Sequence, residues 1–299
     1  MKRTKILSLI ALVFCFTLNL RAQSGTCGAN LTWELVNDTL IISGSGAMDN
    51  SRPWSSYSSQ IVHISISEGV TNICDDAFYS FSKLQSIVIP NTVTSIGRQA
   101  FYSCSNLTQV TLGNAIETIG NSAFYSCKIT SITLPESLLS IEDYAFGYCQ
   151  SLTDITIPGS VSSVGDNAFY YCTQLSKVTI KEGVKSIGSS TFYNCNKMTD
   201  IALPSSLISI GGNAFESCTS LASIVLPVQI TTIKDKTFNY CSSLKEVTLP
   251  SNLQTIGNYA FSGCSFTHID IPHSVTSFGE SVFSGCTNLQ GVLFNKYLE

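Results

Sequence analysis

Charge is scarce in this sequence: Lys, Arg, Asp and Glu make up only 12% of its 299 residues. Beyond the first five residues the basic side chains form no stripe, so a phosphate backbone would find nothing to neutralise it, and no nucleic-acid partner is expected. Histidine is rarer still, at His63, His268 and His273. With no Cys-x-x-Cys pair and no grouped Cys and His, the usual metal-ligand spacings are missing. No glycine-rich phosphate loop or nucleotide fingerprint appears either. Beyond Leu20, polar residues interrupt every apolar run, which leaves the mature chain no transmembrane helix.

The first 22 residues read as an export signal. Lys2, Arg3 and Lys5 form a basic start, Ile6 to Leu20 an apolar stretch, and Leu20-Arg21-Ala22 a cleavage site before Gln23. Fifteen residues broken by Thr17 and Asn19 are too short for a bilayer span. Neither Cys15 nor Cys27 follows the small residue that lipid attachment requires. The chain is therefore expected to be exported, to the cell surface or the medium, with the periplasm left open. Residues 23–299 carry twelve Lys and Arg against twenty Asp and Glu, a net charge of −8.

What the sequence has in abundance is repetition. Phe78, Phe101, Phe124, Phe146, Phe169, Phe192, Phe215, Phe238, Phe261 and Phe283 recur every 23 residues, twice every 22. Around them runs one template, Leu-x-x-Ile-x-Ile-Pro-x-x-Val-x-x-Ile-Gly-x-x-Ala-Phe-x-x-Cys. In Leu107 to Leu112 apolar and polar residues alternate, the period of a half-buried strand. Proline follows in seven copies, such as Pro90 and Pro135, and ends the ladder because it has no N–H to donate. Val93 and Ile96, with their equivalents, suggest a second short strand. Ala-Phe is expected to insert the ring from a helical or 3₁₀ turn. Glycine after the second isoleucine, replaced by Cys74, Glu142 and Lys234, is expected to be convenient there and not to need a positive φ. A single unit has too few apolar residues to fold alone, so stacked coils must share one core. The expectation is a β-rich solenoid of about ten coils over residues 61–299, with a parallel sheet on one face and short second strands or helical turns opposite.

Residues 23–60 depart from the template. Leu31, Trp33 and Leu35 alternate, Asn37-Asp38 offers a turn, and Leu40-Ile41-Ile42 returns. A β-hairpin followed by a loop would cap the first coil's open edge.

The unit Ile-x-Ile-Pro-x-x-Val-x-x-Ile-Gly-x-x-Ala-Phe-x-x-Cys resembles the BspA-like class of leucine-rich repeats, and Ser24 to Trp33 resembles the segment that often precedes such arrays. The resemblance covers roughly residues 24–294. It implies a leucine-rich-repeat solenoid on a bacterial surface or in its surroundings, with adhesion to host or matrix protein as the associated activity. It supplies no ligand-binding motif.

Candidate chemistry is sparse. Nine cysteines, from Cys104 to Cys286, share one template position that Phe81 fills in the first copy, which marks an apolar slot of free thiols. Stacked β-carbons near 5 Å also exceed the roughly 3.8 Å a disulfide prefers. His268 and Asp270 share a strand face and could pass for a base pair, but no nucleophile accompanies them, and an enzyme is not expected. No cofactor is implied. Two surfaces are candidates for binding. Outward strand positions form one row through Gln109, Asp154, Lys177, Asp200 and Glu246, beside a second row of threonines. The residue after the phenylalanine forms another through Tyr79, Tyr102, Tyr125, Tyr170 and Tyr193. Outward strand faces are polar in any soluble solenoid, and the tyrosines could merely lean on one another. The expected function is binding a protein ligand, adhesin-like. The alternatives are a polysaccharide gripped by the tyrosine row, or a passive spacer.

Overall fold

The computed structural model describes residues 23–294, so the expected export signal lies outside the described residues. The chain winds as a β-solenoid of about eleven turns with almost no helix. Each coil has three sides. The first carries the longer strands, such as Gln109–Thr111 and Asp154–Ile157, which pair in parallel with their counterparts 22 or 23 residues away. The second carries two-residue strands. Seven of these, from Asn72–Ile73 to Ser209–Ile210, form one parallel ladder. Between the two sides the proline carbonyl accepts from the N–H three residues on, as Pro135 does from Leu138 at 3.1 Å, which turns the corner.

The third side departs from expectation. The Ala-Phe segment is neither α-helical nor 3₁₀. It is a run of turns in which residues two before and two after each phenylalanine have positive φ, as at Gln99 (55°) and Ser103 (56°) around Phe101. Alternate N–H groups then point along the solenoid axis: Gln99, Phe101 and Ser103 donate to Asn121, Ala123 and Tyr125 of the next coil at 2.7–2.8 Å. A helix would bond within one coil and leave these neighbours unpaired.

Phenylalanines from this side fill the centre and are fully buried from Phe78 to Phe261. From Phe101 to Phe261 their centroids step by 5.1–5.6 Å, with planes within 12° of parallel. Burying one such ring stabilises by roughly 1.5–3 kcal/mol. The glycine after the second isoleucine has no positive φ. It serves close approach where it occurs, while Cys74, Glu142 and Lys234 hold the same position in other coils without a positive φ, so glycine is convenient there and not compulsory, as expected. A Cβ on Gly97, Gly188 or Gly257 would lie 2.6–2.7 Å from a backbone nitrogen of the preceding coil.

The N-terminal cap is larger than a hairpin. β1 (Gln23–Gly28), β2 (Leu31–Val36) and β3 (Thr39–Gly44) form an antiparallel meander turning at Asn37, whose φ is 58°. β3 then pairs in parallel with the first repeat strand, β4 (His63–Ile66). The loop between them is itself a degenerate coil. Trp54 occupies the phenylalanine position, fully buried, with its ring centroid 6.0 Å from that of Phe78 and its indole N–H donating to Ala77 O at 2.7 Å.

Candidate binding surface

The cysteines resolve first. All eleven in the described residues are free, ten of them buried. The nine in the template position form a ladder in which each Sγ donates to the phenylalanine carbonyl of the preceding coil, at 3.1–3.3 Å. Burial pushes the Cys149 and Cys218 thiols up to about 12. They are therefore uncharged, poor nucleophiles and poor metal ligands at neutral pH. Among the described residues no three His, Cys, Asp or Glu side chains gather as a metal cluster. His268 and Asp270 share the exposed side of their strand, as expected.

The outward strand row is on the surface: Gln109, Asp154, Lys177, Asp200 and Glu246 are all exposed. Parallel register sets Lys177 between Asp154 and Asp200. Sequence reasoning missed the apolar members of the neighbouring row. Val88 and Val225 stand among its threonines, each 64% exposed. Val225, Ala202 and Val228 line a groove of about 400 Å³ between two coils, with Asp200 and Ser223 also on its wall.

The tyrosine row is on the third side, not the strand face, so the two candidate surfaces are separate. Its rings do lean on one another. Tyr79, Tyr102 and Tyr125 stack at 5.0 and 4.8 Å with planes 2° apart, and Tyr170 stacks on Tyr193 at 4.9 Å. The row breaks at Gly147, where a Cβ would lie 2.9 Å from the Tyr125 ring. Three tyrosines outside the predicted row bridge that break. Tyr144 contacts Tyr125 and Tyr170, and Tyr148 contacts Tyr125, Tyr170 and Tyr171. Eight rings therefore make one continuous strip. The missing signal was present in the sequence: Tyr144, Tyr148 and Tyr171 occupy the positions two before and two after the phenylalanine.

Those three positions are the positive-φ ones, at 57–58°. A bulky side chain there is an outlier, and other copies mostly carry Ser or Asn. Except for Tyr79 the strip is half-buried. With ring faces covering one another, what remains for a ligand is ring edges and hydroxyls. Burial, and then the neighbouring phenols, push Tyr170 up to about 12 and raise Tyr125; burial, and then the Glu216 carboxylate ahead of the phenols, raises Tyr193. These hydroxyls stay neutral donors and acceptors at any physiological pH.

Beyond Tyr193 the same row carries Glu216, Asn239 and Ser262, all buried. Asn239 Nδ2 donates to Glu216 Oε1 at 2.8 Å, and Asn213 Nδ2 donates to the other carboxylate oxygen. Asn239 Oδ1 is buried with no hydrogen-bond partner.

Among the described residues no helix is long and apolar enough to cross a membrane. Among solved structures the chain is similar to a leucine-rich-repeat protein of Eubacterium ventriosum, with 23% identity over 92% of this chain and 96% of that one, at a TM-score of 0.44. A leucine-rich cell surface protein of Faecalibacterium prausnitzii shares 26% over the same coverage, at 0.45. The pneumococcal vaccine antigen PcpA shares 17% over 92% of this chain and 82% of its own, at 0.43. No curated protein matches. The family described as BspA type leucine rich repeat region matches in six copies, over residues 56–153, 117–227 and 209–299. With that match spanning all ten phenylalanine coils, the chain belongs to the BspA-type leucine-rich-repeat family.

Proposed function

We propose that this is an exported surface protein that binds a protein ligand, on host matrix or another cell, through the side of the solenoid bearing the tyrosine strip. Residues 1–22 would be removed on export, 23–60 cap the array and 61–299 form it. The observation that carries the reading is the eight-ring strip. The fold does not need it, because later coils hold the same backbone with Glu216, Asn239 and Ser262 in its place. Tyrosines at positive-φ sites, with Gly147 making room for them, are an outlier that points to function. Tyrosine edges and hydroxyls suit protein hot spots, giving large contact area at low entropy cost. The outward strand row, with Val88 and Val225, offers a second contact. Catalysis has no place in this reading: the buried thiols are inert and the titratable strand residues lie open to solvent.

The polysaccharide alternative loses support as first framed. A sugar ring stacks on an aromatic face, and the strip's faces are largely occupied by one another. The test is retention of residues 23–299 on immobilised matrix proteins and cell-surface preparations. Replacing Tyr102, Tyr125 and Tyr170 by Ser should abolish saturable binding while thermal unfolding stays within a few degrees. Absence of any protein ligand, or full binding by the triple variant, contradicts the proposal. The first outcome would favour a spacer.

A further inference from the structure

Neighbouring coils are bonded along their sides, and at one boundary two of the three sides come apart. Between the coil of Phe215 and that of Phe238, the first-side strands Asp200–Ala202 and Ser223–Val225 are not paired. Neither are the second-side strands Ser209–Ile210 and Thr232–Ile233. On either flank the second-side ladder holds. Gly211 N donates to Ile187 O and Gly257 N to Ile233 O, and Ile208 N and Gln254 N donate to Lys185 O and Thr231 O, all at 2.8 Å. At the boundary itself the equivalent donors are Lys234 N and Thr231 N, and neither reaches a backbone carbonyl. No other boundary among the described residues lacks backbone bonds on both sides.

The sequence accounts for the gap. Asp75, Asp143, Asp166, Asp235 and Asn258 each accept from the N–H at the same position one coil on, at 2.6–2.8 Å. At the boundary that position is Gly212, with no side chain to offer. Thr92, Ser137, Ser160, Ser206 and Ser274, each two residues after a proline, donate to a carbonyl of the preceding coil at 2.6–2.8 Å. Gln229 replaces them there. Lys234 stands where glycine lets coils close: a Cβ at Gly211 would lie 2.3 Å from Ser189 N, and one at Gly257 2.6 Å from Asp235 N. Glu142 also carries a Cβ at this position, but its carboxylate accepts from Asn121 N across its own boundary at 2.9 Å. A lysine has no acceptor to return.

The third side stays closed. Asn213, Phe215 and Ser217 donate to Asp235, Thr237 and Asn239 at 2.8–3.0 Å, and Cys241 Sγ donates to Phe215 O at 3.1 Å. The buried Asn239 and Glu216 add a side-chain bond across the same boundary. On the other two sides only apolar packing holds the coils, through Ile201, Ile210, Ile224 and Ile233. Such packing is non-directional and resists small rotations less than a hydrogen-bonded ladder does.

We infer that the solenoid is two blocks hinged at this boundary, with the third side as the pin and the strand face as the side that opens. The groove lined by Ala202, Val225 and Val228 lies on the opening side, so its width follows the hinge angle. The tyrosine strip, from Tyr79 to Tyr193, belongs wholly to the first block and keeps its geometry through the motion. The hinge is therefore independent of what the strip binds.

The test is spin-label distance measurement on residues 23–299, with Asp154→Cys and Glu246→Cys across the boundary and Gln109→Cys and Asp200→Cys within the first block. All four positions are exposed, and each pair spans the same number of coils. Ten native thiols are buried, and Cys286, the half-buried one, is replaced by Ser. The crossing pair should give a distance distribution about twofold wider than the control pair. Hydrogen exchange at Thr231 and Lys234, corrected for sequence, should run about a hundredfold faster than at Gln254 and Gly257. Lys234→Gly with Gly212→Asp restores residues that other coils carry, and should narrow the crossing pair to the control and slow both amides. Equal widths in the parent, equal protection of the two sets of amides, or a repaired chain no narrower than the parent would each overturn the hinge.

Discussion

The coils built on Phe101 to Phe192 and those built on Phe215 to Phe261 share a backbone and a core but not a surface. Centroid steps in the central ladder are 5.1–5.5 Å in the first region and 5.5 Å in the second. Cys Sγ donates to the preceding phenylalanine carbonyl in both. On the third side, however, the first region packs tyrosine on tyrosine, while the second has a buried carboxylate, a buried amide and two exposed rings, Tyr240 and Tyr259. The core is thus set by the repeat, and the surface is free to vary along it. Where it departs from small polar residues the fold gives no reason, and the proposed ligand binding would supply one.

The largest expected effects fall on what the regions share. Phe169→Ala and Phe238→Ala should each cost about 3–5 kcal/mol in denaturant unfolding, because each leaves a cavity between two stacked rings. A marked difference between them would break the equivalence of the two cores.

Gly147 is where the regions should diverge. Gly147→Ala places a methyl against the Tyr125 ring and should cost about 1–3 kcal/mol, most of it recovered by adding Tyr125→Ser. At the same row position in the other region, Ser262→Ala should change stability by about 0.5 kcal/mol or less. If Gly147→Ala is silent, the strip is looser than described.

Alkaline pH should act on both regions alike. Burial raises the Cys149 and Cys218 thiols from 9.0 to about 12 in the folded chain. Above pH 9 the unfolded thiols ionise and the folded ones do not, so the stability present below that pH is lost as pH rises from about 9 to 12. Each such thiol contributes about 1.4 kcal/mol per pH unit across that window. Urea unfolding at pH 8 and pH 10 measures the slope. A flat profile would mean that the thiols are not held in the apolar slot.

Much of this architecture was legible before any coordinates. Ten phenylalanines at a fixed period dictate stacking, and alternation in Leu107 to Leu112 marks the sheet face, because both depend on side-chain chemistry at regular spacing. Features that depend on backbone handedness were not legible. The turn ladder around Ala-Phe uses positive φ at residues as varied as Gln99, Ser122, Tyr144 and Lys236, which no propensity announces. Nor did the loop before Gln60 announce a coil, since Trp54 stands in for phenylalanine one residue out of step. The candidate site was half legible. The five-residue tyrosine row was visible, but its continuity across Gly147 required seeing that three different template positions meet on one side of the coil.

The smallest expected effect on stability comes from the strip itself, for which the proposed function makes binding the readout. The most direct measurement is saturable binding of residues 23–299 to immobilised matrix proteins and cell-surface preparations, parent against the Tyr102, Tyr125 and Tyr170 to Ser triple variant. Thermal unfolding of both proteins should be followed in parallel. Binding lost with the melting temperature held within a few degrees is the predicted result. Undiminished binding by the variant, or loss of binding only because the variant unfolds, would contradict the account and return the tyrosines to a packing role.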